Sequence, residues 1–143
     1  MSSVSPAELE KILSVVEAAL LNHAKWYDDL VRMLLCRLPL PDSVMAKDAH
    51  HHCAFGTWFY GMGDAYVEEL PVFKKIGELH KAMHGSAREL CQNIKATGSA
   101  PELEYDTFRR NLMQFRNELD NLKSKISYTL ENIGTQNGGS VEE

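Results

Sequence analysis

The sequence predicts an all-α domain, an antiparallel four-helix-bundle-like arrangement of three long helices and a short helix that carries a cysteine. Three observations predict it. Apolar residues recur about every 3.5 residues through three long stretches, the repeat of packed bundle helices. Helix-starting and helix-stopping residues bracket those stretches. Helix-forming residues abound, with charges mixed along the chain rather than gathered in blocks.

The first helix opens at Ser5-Pro6-Ala7-Glu8, a cap, a first-turn proline and a glutamate three residues after the serine. Its apolar seam runs Leu9, Ile12, Leu13, Val16, Ala19, Leu20, His23, Trp26, Tyr27, Leu30, Met33 and Leu34, and is expected to end near Pro39 and Pro41. Residues 42–52, DSVMAKDAHHH, have no clear period and read as a loop. The following CAFGTWFYGM is aromatic and bounded by glycines, and reads as the short helix.

From about Leu70 to Ala96 the seam resumes as Phe73, Ile76, His80, Met83, His84, Ala87, Leu90, Cys91 and Ile94, with Gly98 as its stop. Ser99-Ala100-Pro101-Glu102 repeats the capping pattern, and Phe108, Leu112, Phe115, Leu119, Leu122, Ile126, Leu130 and Ile133 carry a last helix to Gly134. The expected domain is therefore 5–133, with 134–143 a flexible tail or linker.

At 143 residues the chain is long enough for one domain with a proper core, so neither metal nor disulfide is required merely to fold it. Asp plus Glu exceeds Lys plus Arg, 20 to 15, and the net charge of −5 makes nucleic acid an unsuitable partner. No apolar run reaches the roughly 20 residues of a membrane-spanning helix, and the N-terminus has no signal-peptide pattern, so a cytoplasmic protein is expected. Three cysteines at irregular spacing argue against a disulfide framework and for free or metal-bound thiols.

Both central seams place histidine where the pattern asks for an apolar residue, His23 on the first and His80 and His84 on the second. Residues four apart share a helix face, so His80 and His84 can converge on one ion, with His23 reaching across and Cys53 closing a tetrahedron. Three imidazoles and a thiolate suit zinc; calcium and magnesium prefer oxygen, while copper and nickel compete. A single seam histidine is more often a satisfied core residue, and the spacing by itself leaves both readings open.

His-Lys-Ala-Met-His has the spacing of a zinc protease but Lys81 where the catalytic glutamate would stand, which disfavours hydrolysis. The seams offer no inward carboxylates for a di-iron centre of the hemerythrin kind. His50, His51 and His52 read as solvent-exposed, Cys36 and Cys91 as small buried hydrophobes, and Phe55 and Trp58 as core aromatics. Cys91 lies about 10 Å along the helix from His84, too far to join the same ion.

The run His51-His52-Cys53-Ala54-Phe55-Gly56-Thr57-Trp58-Phe59-Tyr60 closely resembles the H-x-C-x-F-G-x-W-[LF]-Y signature of the chemoreceptor zinc-binding family. A histidine in the first helix and H-x-x-x-H in the later one complete the likeness, over about residues 8 to 130. The resemblance implies that His23, Cys53, His80 and His84 are zinc ligands. It implies a regulatory module, generally a homodimer, attached to a bacterial chemotaxis receptor or a diguanylate cyclase, whose output follows zinc occupancy or cysteine oxidation.

The chain contains neither a receptor signalling hairpin nor a cyclase domain, and the sensor-first order resembles the cyclase arrangement. The alternative is a structural zinc module serving dimerisation alone.

Overall fold

The computed structural model describes the backbone of residues 4–142 and the side chains of 4–63 and 65–133. Among these residues the regular structure is entirely helical: α1 (Pro6–Leu35), α2 (Asp42–Met45), α3 (Ala49–His52), α4 (Ala54–Gly61), a 3₁₀ turn (Gly63–Tyr66), α5 (Val72–Thr97) and α6 (Glu102–Glu142). The three long helices and the short cysteine-bearing helix stand as the sequence predicts. No helix among the described residues is long and apolar enough to cross a membrane.

α6 is the spine. Its buried residues Phe108, Leu112, Phe115, Leu119, Leu122 and Ile126 alternate spacings of four and three, the seam a helix needs to pack along neighbours at a shallow angle. It packs on both α5 and α1. Contacts between Lys75 and Glu118 and between Ser86 and Asn111 show α5 antiparallel to α6. The pairs Glu17 with Lys123 and Tyr27 with Tyr105 show the same for α1. Helices α1 and α5 thus run parallel to each other, which sets His23 at the level of His80 and His84.

The fourth side of the bundle is closed by the short helices, with α4 against α1 and α2 and α3 against α5. Phe55 and Phe59 stack and bury between the long helices, and Phe59 meets Phe73. The Arg88 side chain donates to the Met45 carbonyl and fixes the start of this segment to α5.

The ends of the helices depart from expectation in instructive ways. Ser5 and Glu8 do form the reciprocal capping box of α1. That helix, however, stops at Leu35, not near the prolines. Arg37 turns into the left-handed region at φ 53°, and the amides of Arg37 and Leu38 donate to Leu34 and Met33, the bond pattern of a Schellman ending. Arginine stands where glycine usually does, so no residue type marks this ending in advance. Cys36 caps this end and is exposed, against the expectation that it is buried; Cys91 is fully buried.

Residues 42–52 are not a plain loop, for α2 and α3 each make one turn, buried through Val44 and Ala49. A four-residue helix is too short to display a period. Gly98 ends α5 at φ 81°, as expected. The second capping pattern is not realised: the Ser99 backbone is engaged with Thr97 Oγ1, and α6 begins beyond Pro101. The backbone of α6 also continues past Gly134 to Glu142, eight residues beyond the expected stop and through Gly138 and Gly139, since glycine lowers helix propensity without forbidding a helix.

Candidate metal centre

His23 sits on α1 in the seam between Ala19 and Leu30, and His80 and His84 occupy successive turns of α5 between Ile76 and Ala87. Each takes a position an aliphatic residue would otherwise fill, and each is buried, with 4%, 0% and 7% of its surface exposed. Cys53 comes from the opposite side of the bundle, where it caps α4 with its sulfur in place of the usual hydroxyl. Together these four residues offer one nitrogen or sulfur each, all within 4.8 Å of one another.

The Cys53 Sγ lies 3.3 Å from His80 Nε2 and 3.8 Å from His23 Nε2. Tetrahedral zinc with bonds of about 2.0–2.1 Å to nitrogen and 2.3 Å to sulfur sets sulfur and nitrogen about 3.6 Å apart. These two separations therefore straddle the value a zinc ion imposes. His23 Nδ1 donates to the Ala19 carbonyl at 2.8 Å, which fixes the tautomer and leaves the Nε2 lone pair facing the cluster.

His84 Nε2 and His80 Nδ1 are buried without any hydrogen-bond partner. A buried nitrogen left unpaired costs about 1–3 kcal/mol, and a cation held among these donors would take up the lone pair of His84 Nε2; on His80 it would take Nε2, which faces Cys53, and leave the proton on Nδ1. No carboxylate belongs to the group, which removes the donors that hard cations or a di-iron centre require. Lys81 is exposed, and it is not among the converging donors.

Burial also sets the protonation states. It lowers the His80 pKa to about 2, helped by the neighbouring His84 and His23, and that of His84 to about 3, helped by His23 and His50. His23 is lowered by burial too, opposed by its bond to Ala19. All three imidazoles are therefore neutral at pH 7, the form that binds metal. Burial pushes the Cys53 thiol up, opposed by the backbone amides of Gly56 and Phe55, so a metal must displace its proton.

Phe115 and Phe55 wall the cluster with their rings, and Trp26 lies 5.0 Å from His84 between ring centres. Cys53 is the one half-exposed member. A crevice of about 110 Å³ reaches it past Asn22 and Trp26, and another of about 210 Å³ past Ser43 and His52.

Around the cluster, His51 and His52 are exposed as expected, His51 stacked on Tyr60 and His52 paired with Asp48. His50 is not: it is 8% exposed, because α3 folds it under, and its carbonyl faces α4. Two supporting groups escaped the sequence reading, the Ala19 carbonyl and the Gly56 amide, which donates to Cys53 Sγ at 3.2 Å. Backbone groups carry no signature, though the glycine in the motif could have drawn notice.

Residues 23–91, a span that includes all four cluster residues, match the family described as the chemoreceptor zinc-binding domain. The chain is 23% identical over 131 residues to the diguanylate cyclase DgcZ of Escherichia coli (strain K12), covering 92% of this chain and 44% of that protein. It thus spans less than half the length of this curated relative. Its fold resembles the solved regulatory CZB domain of DgcZ with a TM-score of 0.72 and 24% identity, over 83% of this chain and 98% of that one.

Proposed function

From a chain whose residues 23–91 belong to the chemoreceptor zinc-binding domain family, we propose a regulatory module that binds one zinc ion through His23, Cys53, His80 and His84. The single observation that carries this reading is the convergence of those four donors within 4.8 Å, three of them neutral and buried. Bound zinc would supply a fixed positive charge that joins α1, α5 and the start of α4. Four protein donors leave no open position for substrate or water, so the module regulates rather than catalyses.

His23, His80 and His84 come from rigid long helices, whereas Cys53 comes from the short-helix segment. Loss of the thiolate would untie that segment from the frame, and a change in its packing is the signal passed on through α6. The output is that of a diguanylate cyclase or a chemoreceptor, in line with the likeness to DgcZ. The domain, taken as 5–133, works as a homodimer in the cytoplasm. Leu21 and Leu35, fourteen residues apart on α1 and largely exposed, leave apolar surface for such a contact.

A second reading rests on the exposure of Cys53. As the half-exposed ligand on two crevices, which buried His84 also lines, Cys53 offers the sulfur on which an oxidant would act, converting thiolate to sulfenic acid and releasing the ion. Zinc release on dilute hypochlorite before other residues oxidise supports oxidant sensing; no early release leaves sensing of zinc itself.

The test of binding is elemental analysis of untagged protein. About one zinc per chain is expected, and much less in Cys53→Ala, His23→Ala and His80→Ala. Equal zinc in the parent and all three variants would overturn the site. Distances between labelled helices in zinc-loaded and chelated protein test the switch, and identical distances would leave binding without regulation.

A further inference from the structure

The motif residues around Cys53 include a glycine in the first turn of α4, a place where a helix gains from any other small residue. A methyl group on Gly56 would run into the His50 carbonyl oxygen, and would stand 2.9 Å from the carbonyl carbon and 3.2 Å from the His51 Cα. These are backbone atoms and cannot swing aside. The bare Cα therefore lets α4 press directly onto α3.

That close approach has a chemical consequence. The first amides of a helix lack acceptors within it. In α4 the Gly56 amide finds one in the Cys53 sulfur, at 3.2 Å, while the next amide, of Thr57, already donates to the Cys53 carbonyl. Gly61, in the last turn of the same helix, has open space around it. The demand for glycine is thus specific to the turn that holds the sulfur.

We propose that Gly56 is a positioning residue of the metal centre: its missing side chain seats α4 on the His50 carbonyl, and its amide aims the Cys53 sulfur at the three histidines. The proposal rests on the four-ligand zinc reading above. An outer hydrogen bond to a metal ligand is commonly worth 10- to 100-fold in metal affinity. Such a bond orients a thiolate and shares its negative charge, which alters the sulfur-to-metal transition as well as the affinity.

The experiment compares the full chain with Gly56→Ala, Gly61→Ala and a semisynthetic chain in which glycolic acid replaces Gly56, converting its amide to an ester. The ester keeps the shape of glycine and removes the N–H, while the Phe55 carbonyl becomes a weaker acceptor, an effect that helix content reads separately. Zinc affinity is measured by competition with a chelator, and cobalt(II) alone serves as the spectroscopic probe through its near-ultraviolet band from thiolate. Helix content and melting of the metal-free proteins are recorded alongside.

The expected result is a 10- to 100-fold loss of zinc affinity in Gly56→Ala and in the ester, a shifted or weakened cobalt band in both, and parent behaviour in Gly61→Ala. Should Gly56→Ala fail to fold, the ester decides. An ester with parent affinity and band would overturn the proposal while the four-ligand site stands. A parent protein that binds no zinc would instead remove the reading beneath it.

Discussion

The frame of α1, α5 and α6 and the segment of residues 42–66 are held by different means. In the frame, Leu9, Ile12, Phe73, Ile76, Leu119 and Ile126 bury almost completely against one another along long seams, so its cohesion is apolar and repeated many times over. The segment has only one-turn and two-turn helices, and is secured by Phe55, Phe59, Val44, the Arg88 bond and Cys53. Nothing in that cohesion requires a metal. The segment is where one ion can matter, because few other contacts compete with it.

The largest expected effect lies in the frame. Leu119→Ala should cost about 2–5 kcal/mol in chemical denaturation, equally in zinc-loaded and chelated protein, with zinc content unchanged. A loss of zinc together with stability would show that the frame and the centre are not separable.

Next in size is the metal itself. With free zinc at 100 times its dissociation constant, the loaded protein should gain about 2.7 kcal/mol over the chelated one, and Cys53→Ala should abolish the gain. Amide exchange should place the difference in residues 42–66. Uniform protection across α5 and α6 would contradict the division drawn between the two regions.

Acid acts on the same histidines. An unfolded chain takes up protons near pH 6.5, whereas buried His80 and His84 resist them to about 2 and about 3. The stability of metal-free protein is therefore complete above pH 6.5 and lost as pH falls below it. The two residues together account for about 2 kcal/mol between pH 6.5 and about 5.5. Denaturation across this range checks it, and His80→Leu should flatten the profile.

The smallest effect is at the edge where the regions meet. Ser5→Ala removes the cap of α1 and should cost about 1 kcal/mol with or without zinc. Glu8, its capping partner, also accepts from the Tyr66 hydroxyl at the end of the segment. A cost that differs between the two metal states would mean that this link carries the state of the centre to the first turn of α1.

The same contrast explains what could be read from sequence. The long helices declare themselves because seams such as Phe108 to Ile126 repeat often enough to fix a period, and Gly98 and Ser5 mark ends by chemistry that depends on one residue. His23, His80 and His84 were legible as interruptions of those seams. The one-turn helices were not legible, nor was the burial of His50, because four residues hold no period and their fold is imposed by packing on α5. Arg37 at the end of α1 and the amide of Gly56 escaped for a related reason: backbone geometry did the work that a side chain usually advertises.

The central claim is a single cation shared by one sulfur and three imidazoles. X-ray absorption at the zinc edge on untagged, freshly purified protein tests it most directly. One sulfur neighbour at about 2.3 Å and three nitrogens at about 2.0–2.1 Å are expected, with the sulfur lost in Cys53→Ala. A spectrum with only nitrogen and oxygen neighbours, or one unchanged by that substitution, would contradict it.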